Sequence, residues 1–173
     1  MDLKNIDNLI NSKSDSLSNL SGKDLIEKKV KEFVVMGGKY PEGDWEWNFE
    51  GGLKGVTKSV IYNISVPITF SGYELGVDIK TAEIFNIIEH NTPLYVEFMY
   101  FSQNAPWIKE NFKGKILNNS TYDQTAVLYS VRNGIGLYWD KVSGEICIPD
   151  EIGGNKWIKN NKSNHSYLVL KMD

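Results

Sequence analysis

The sequence predicts an α+β chain: a mainly antiparallel β-sheet with an N-terminal helix and one short helix packed on a face. Three observations lead there. Residues 21–38 carry a helix cap, an apolar face and a glycine stop. Residues 60–66 and much of the last third alternate apolar and polar side chains with the two-residue period of strands. Asn133-Gly134 is the strongest hairpin signal in the chain, because both positions tolerate the positive φ of a type I′ turn.

Taken in order, Leu3, Ile6, Leu9 and Ile10 stand at helical spacing behind Asp2, a candidate cap. The Ser- and Asn-rich stretch 12–21 reads as a linker. The expected organisation is therefore a helical arm and linker over 1–21, then a single α+β domain over 22–173. Ser21-Gly-Lys-Asp24 is a capping-box pattern with Asp in place of Glu, and Leu25, Ile26, Val30, Phe33 and Val34 predict one apolar face on a helix over 22–36. Gly37-Gly38 would end it. Val60, Tyr62, Ile64 and Val66 predict a strand that Pro67 terminates. Asp78 predicts the cap of a short helix over 80–89, with Ala82, Phe85 and Ile88 inward.

Leu94–Phe101 is apolar on both faces apart from Glu97, the pattern of a central strand. Asn104 and Pro106 predict a helical turn through Asn111. The last third predicts a meander: a strand over Thr125–Val131, a return over Ile135–Trp139, a turn at Lys141–Gly144, and a strand over Glu145–Ile148. Gly153-Gly154 breaks the chain, Asn160–Asn164 is a polar loop, and Ser166–Met172 closes as a strand.

Composition narrows the function classes. At 173 residues and 41% hydrophobic, the chain can bury a sizeable core without staples. Its one cysteine, Cys147, excludes a disulfide within the chain. Asp7, Asn8 and Asn11 interrupt every candidate leader near the N-terminus, so a cytoplasmic location is expected. No apolar run approaches the ~20 residues of a membrane span, and no membrane partner is expected. The net charge is −3 and Arg132 is the only arginine, a poor basis for gripping nucleic acid and a better one for meeting a basic protein. No cofactor is expected: Gly134-Ile-Gly136 lies in the predicted hairpin, not between a strand and a helix. No metal site is expected either, since Glu89-His90 is adjacent rather than i,i+4 and no CxxC, HExxH or EF-hand loop exists.

The segment 40–52 is the predicted working face. On a strand, Trp45, Trp47 and Phe49 would share one face while Glu46, Asn48 and Glu50 share the other, with Glu42 and Asp44 adding negative charge. Aromatic anchors and steering carboxylates suit a basic protein partner, and the partner-binding set is Glu42, Asp44, Trp45, Glu46, Trp47 and Glu50. The alternative is an edge strand whose aromatics cover the core while its acids stay solvated.

Two weaker constellations both depend on His165. With Cys147 it could form a thiol–imidazole pair for amide hydrolysis or deamidation, oriented by Asn155, Asn164 or Asp150. Against that, Cys147 between Ile146 and Ile148 reads as a small buried residue, which lone cysteines in apolar contexts usually are. With His90, it could supply the two imidazoles of a ribonuclease. Arg132 reads as a clamp for an anion or as a solvated strand end, and Trp107, Trp139 and Trp157 as core or core rim. The resulting expectation is a small non-enzymatic protein that occludes a basic partner, such as an immunity protein or toxin inhibitor, with no assigned catalytic residue. The alternatives are the Cys147–His165 hydrolase or deamidase and the His90–His165 ribonuclease, itself a toxin domain.

Overall fold

A computed structural model describes residues 3–50, 55–88, 92–132, 138–148 and 152–171. The fold is α+β, and the chain divides into two units: Met1–Leu75 with Tyr122–Asp173, and Gly76–Thr121. The helices are α1 (Leu3–Ile10), α2 (Gly22–Lys29), α3 (Trp47–Glu50), α4 (Val56–Asn63), α5 (Tyr73–Val77), α6 (Pro93–Asn104) and α7 (Tyr122–Val131). The strands are β1 (Phe33–Met36), β2 (Glu42–Gly43), β3 (Ile68–Ser71), β4 (Lys80–Thr81), β5 (Asn119–Ser120), β6 (Trp139–Cys147), β7 (Asn155–Ile158) and β8 (His165–Leu170).

Among the described residues, the first unit holds a six-stranded sheet in the order β1-β3-β8-β6-β7-β2. β1, β3 and β8 run parallel to their neighbours in that trio, while the β8–β6, β6–β7 and β7–β2 pairs are antiparallel. Successive residues of β8 point to opposite faces, and both are used. Tyr167 lies in a core with Phe70, Ile146 and Ile148 that α1, α2 and α4 supply with Ile6, Ile26, Val60 and Ile61. Leu168 lies in a second core with Trp139, Leu75 and Tyr129 of α7. The N-terminal helix is thus seated on α4, where the Ser59 hydroxyl also donates to Asp7 at 2.8 Å.

The capping box at Ser21 forms as expected. Asp24 N–H donates to the Ser21 hydroxyl and Ser21 N–H to the Asp24 carboxylate. The helix it starts is shorter than expected: α2 ends at Lys29, Val30 is already extended, and Phe33–Met36 is a strand rather than a helical face. Phe-Val-Val-Met is a run of strand formers, and pairing with β3 settles its conformation. Gly38 does adopt positive φ (+73°), but it ends a strand.

Three expected strands are helices. Over 56–63, Thr57, Val60 and Ile61 are buried at helical spacing, a pattern that coexists with the alternation of Val60, Tyr62 and Ile64. Over 93–104, the Thr92 hydroxyl accepts from Tyr95 N–H and Pro93 fills the first turn, a helix start that outweighs the apolar run. Over 122–131, Thr125, Ala126 and Tyr129 form the buried stripe. The expected turn at 141–144 is also absent, because β6 runs unbroken for nine residues. Gly144 serves another purpose there: a Cβ on it would sit 2.4 Å from the Trp157 ring, so the missing side chain is the seat of that indole. Asn133-Gly134 and Ile135 lie outside the described residues. The elements flanking them are α7 and β6, so the segment joins a helix to a strand and not two strands.

In the second unit, β4 pairs with β5, and a 3₁₀ turn over Glu83–Asn86 replaces the helix expected over 80–89. Ala82, at φ +85°, is buried and precedes that turn, while Ile88 is exposed. Asn86 clamps the backbone of Ile116 through both its amide groups at 2.9 Å, and Phe85 stacks on Phe98. The expected turn through Asn111 is present as a 3₁₀ turn over Lys109–Asn111. No helix among the described residues is long and apolar enough to cross a membrane.

Candidate functional site

The segment after β1 is organised by groups that the core provides from below. At Gly38 a Cβ would come within 2.8 Å of the Phe49 ring and the Tyr167 hydroxyl, so the chain passes where only glycine fits. Glu46 Oε2 accepts from the N–H groups of Gly38 and Asn48, each at 3.1 Å. Asn155 holds Lys39 from both sides, accepting from its N–H at 2.8 Å and donating to its carbonyl at 2.9 Å. Glu74 Oε2 accepts from Tyr40 N–H at 3.1 Å, and Trp157 N–H donates to the carbonyl of Pro41, which follows a cis peptide bond. β2 then pairs with β7, placing Glu42 opposite Lys156 at the edge of the sheet.

The next residues form one helical turn, not the expected strand, and this corrects the predicted sharing of faces. Phe49 is buried edge-on against Phe70, and Glu46 is buried at 5% exposure. Trp45 and Trp47 are 52% and 70% exposed, with ring centroids 6.0 Å apart in an edge-to-face arrangement. Trp47 and Phe49 therefore do not share a face, because a two-residue step along a helix turns the side chain through about 200°. Glu42 and Asp44 are exposed beside the tryptophans in sequence, whereas Glu46 is withdrawn from the surface set. The side chain of Glu50 lies outside the described residues. Glu42 and Asp44 also border a shallow depression of about 380 Å³ shared with Ile152, Gly154 and Lys156.

Burial pushes the Glu46 carboxyl above its ordinary range, against the N–H groups of Asn48, Gly38 and Phe49 that favour its ionised form. Burial likewise raises Glu74, whose Oε1 is buried without a partner among the described residues. Burial, with these two acids nearby, holds the Tyr167 phenol well above its ordinary value. Tyr167 donates to the Gly37 carbonyl at 3.0 Å. Glu74 and Tyr167 carry no sequence signal for this role. Asn155, one of three candidates for orienting His165, serves Lys39.

His165 lies at the start of β8, in register with Gly144 of β6 and Ile68 of β3. Its Nδ1 accepts a long hydrogen bond, 3.4 Å, from the N–H of Ile146. Cys147 lies three residues beyond Gly144, opposite Lys156 of β7, with the Tyr62 hydroxyl close to its thiol. No hydrogen bond joins Cys147 to His165 among the described residues. Asn164, the other expected orienting amide, donates to the carbonyls of Ser65 and Val66. Asp150 and His90 lie outside the described residues. Arg132 is exposed after α7. Of the three tryptophans expected in or near the core, Trp139 is buried and Trp157 packs on Tyr40 and Tyr167, but Trp107 is exposed against Phe101. No group of three or more metal-ligating side chains occurs among the described residues.

No family model matches the chain, and a search of curated proteins finds none with significant similarity.

Proposed function

We propose that this chain is a non-enzymatic binding protein that occludes a basic protein partner through Trp45, Trp47, Glu42 and Asp44. One observation carries the reading. Two exposed tryptophans stand on a segment whose backbone is pinned by Glu46, Glu74 and Asn155 from inside the fold. Exposed tryptophan is costly in solubility, and a segment ordered before binding loses less entropy when a partner arrives. Tryptophan is also the side chain most enriched among residues that dominate binding energy. The neighbouring carboxylates would speed encounter with a basic surface and disfavour acidic competitors.

The concrete form of this function is an immunity protein or toxin inhibitor acting in the cytoplasm. Co-purification of the tagged full chain from its native source tests it. The expected result is a stoichiometric basic protein whose activity is blocked in the complex. Trp47→Ala combined with Asp44→Lys should release that protein while leaving the fold intact. A tight complex indifferent to the pair of substitutions sinks the proposed face.

A further inference from the structure

A second site is marked by a side chain that the fold does not use fully. His165 is only 5% exposed and rests edge-on against Phe70 at 5.8 Å. Its Nδ1 is taken by the Ile146 N–H, so the neutral ring carries its hydrogen on Nε2. That donor forms no hydrogen bond among the described residues, and it is not one of the side-chain atoms buried without a partner, so it is open to solvent. Burial lowers the pKa of the imidazole against the pull of Glu145, which keeps the ring neutral at neutral pH. His165 lines an open cleft of about 350 Å³, a volume within the range of small-molecule sites.

The lining states what the cleft accepts. Only Ile61 and Ile64 bring no polar side-chain atom to it. Its two charges, Glu145 and Lys162, cancel. Asn160 donates to one oxygen of Glu145 at 2.7 Å, Asn164 donates to two carbonyls, and Ser163 accepts from His165 N–H. Among the described residues, the other Glu145 oxygen, the Asn164 oxygen and the Ser163 hydroxyl hydrogen make no further hydrogen bond. Tyr62, 46% exposed, also lines the cleft. An anion would meet Glu145, a cation would meet Lys162, and an apolar molecule would strip water from all of these groups without replacing it.

What satisfies such a set is a molecule whose every polar group both donates and accepts. We propose that the His165 cleft binds a neutral, hydroxyl-rich ligand of monosaccharide size, with its hydroxyls on His165, Glu145, Asn164 and Lys162 and one apolar face on Tyr62. The site is separate from the tryptophan face and does not rest on it.

The test is a titration of the isotope-labelled full chain with glucose, galactose and N-acetylglucosamine, and separately with inorganic phosphate, followed by NMR at the His165 imidazole and the Ile146 and Ser163 amides. The expected result is a saturable shift at these groups with at least one sugar and none with phosphate. Lys162→Ala, an exposed position, should weaken that binding about tenfold or more, the worth of one charge-assisted hydrogen bond. Tyr62→Ala should weaken it similarly. Absence of saturation with all three sugars overturns the proposal. So does saturation by phosphate alone, or sugar binding unchanged in both variants.

Discussion

The carboxylate of Glu46 is buried and accepts the backbone N–H of Gly38, 3.1 Å away and eight residues earlier in the chain. This contact joins the end of β1 to the turn that carries the tryptophans. It also makes Glu46 part of the framework rather than of the surface. Charge reversal at this position would test the fold and not the proposed binding face.

Replacing Glu46 separates its two contributions. Glu46→Ala leaves the N–H groups of Gly38 and Asn48 without an acceptor and should cost about 2–3 kcal/mol in denaturant unfolding. Glu46→Gln keeps an acceptor oxygen and should lie within about 1 kcal/mol of the parent at pH 7.

The pH dependence has a defined sign. Burial raises the folded-state pKa of Glu46 and of Glu74 above the 4.5 of a free glutamate. Between the unfolded and folded values the native state binds more protons, so the stability these groups contribute is full below about 4.5 and lost as pH rises through the folded values. Removing one titrating group by Glu46→Gln should therefore shift the stability difference in the variant's favour as pH rises across that window. Urea midpoints at a series of pH values check this. A difference independent of pH overturns it.

Trp47 and Phe49 should respond oppositely to truncation. Trp47→Ala removes a side chain that is 70% exposed and should change stability by no more than about 0.5 kcal/mol. Phe49→Ala empties a buried site against Phe70 and should cost about 3–5 kcal/mol. Equal losses would mean that both rings face the core.

Gly144→Ala places a methyl group 2.4 Å from the indole of Trp157. The ring must move away from Tyr167 and Tyr40, at a cost of about 1–3 kcal/mol, with a change in tryptophan fluorescence. Unchanged stability and emission would contradict the packing described.

His165 should titrate below 6.5 by NMR, since burial disfavours its charged form. Because its Nδ1 is committed to Ile146, His165→Gln should leave the alkylation rate of Cys147 unchanged. A marked fall in that rate would reveal a thiol–imidazole pair.

The sequence was readable where structure is local. The Ser21–Asp24 capping box consists of hydrogen bonds within four consecutive residues, and it forms as its letters suggest. The polar loop before His165 and the strand after it were equally plain. Reading failed where a short apolar run satisfies two periods at once. Val60, Tyr62 and Ile64 alternate like a strand, yet Val60, Ile61 and Ile64 make a helical stripe, and only packing on the sheet decides between them. At the proposed binding face, the cluster of aromatics and acids was legible from composition, but not which of the aromatics are exposed. The burial of Glu46 was not, because the clamps that shape the segment are non-local: Tyr40 to Glu74, and Lys39 to Asn155 across 116 residues.

The place of β8 in the sheet has a consequence for assembly. It is the last strand in chain order, yet it lies between β3 and β6 and is the seam joining the parallel trio to the antiparallel strands. A chain that stops at Asn164 therefore holds two half-sheets, one of β1 and β3 and one of β6, β7 and β2, each with an open edge. The tryptophan-bearing segment hangs from both halves, through Gly38 at one end and the β2–β7 pair at the other. Its geometry is consequently set only when β8 pairs with both β3 and β6 and closes the gap.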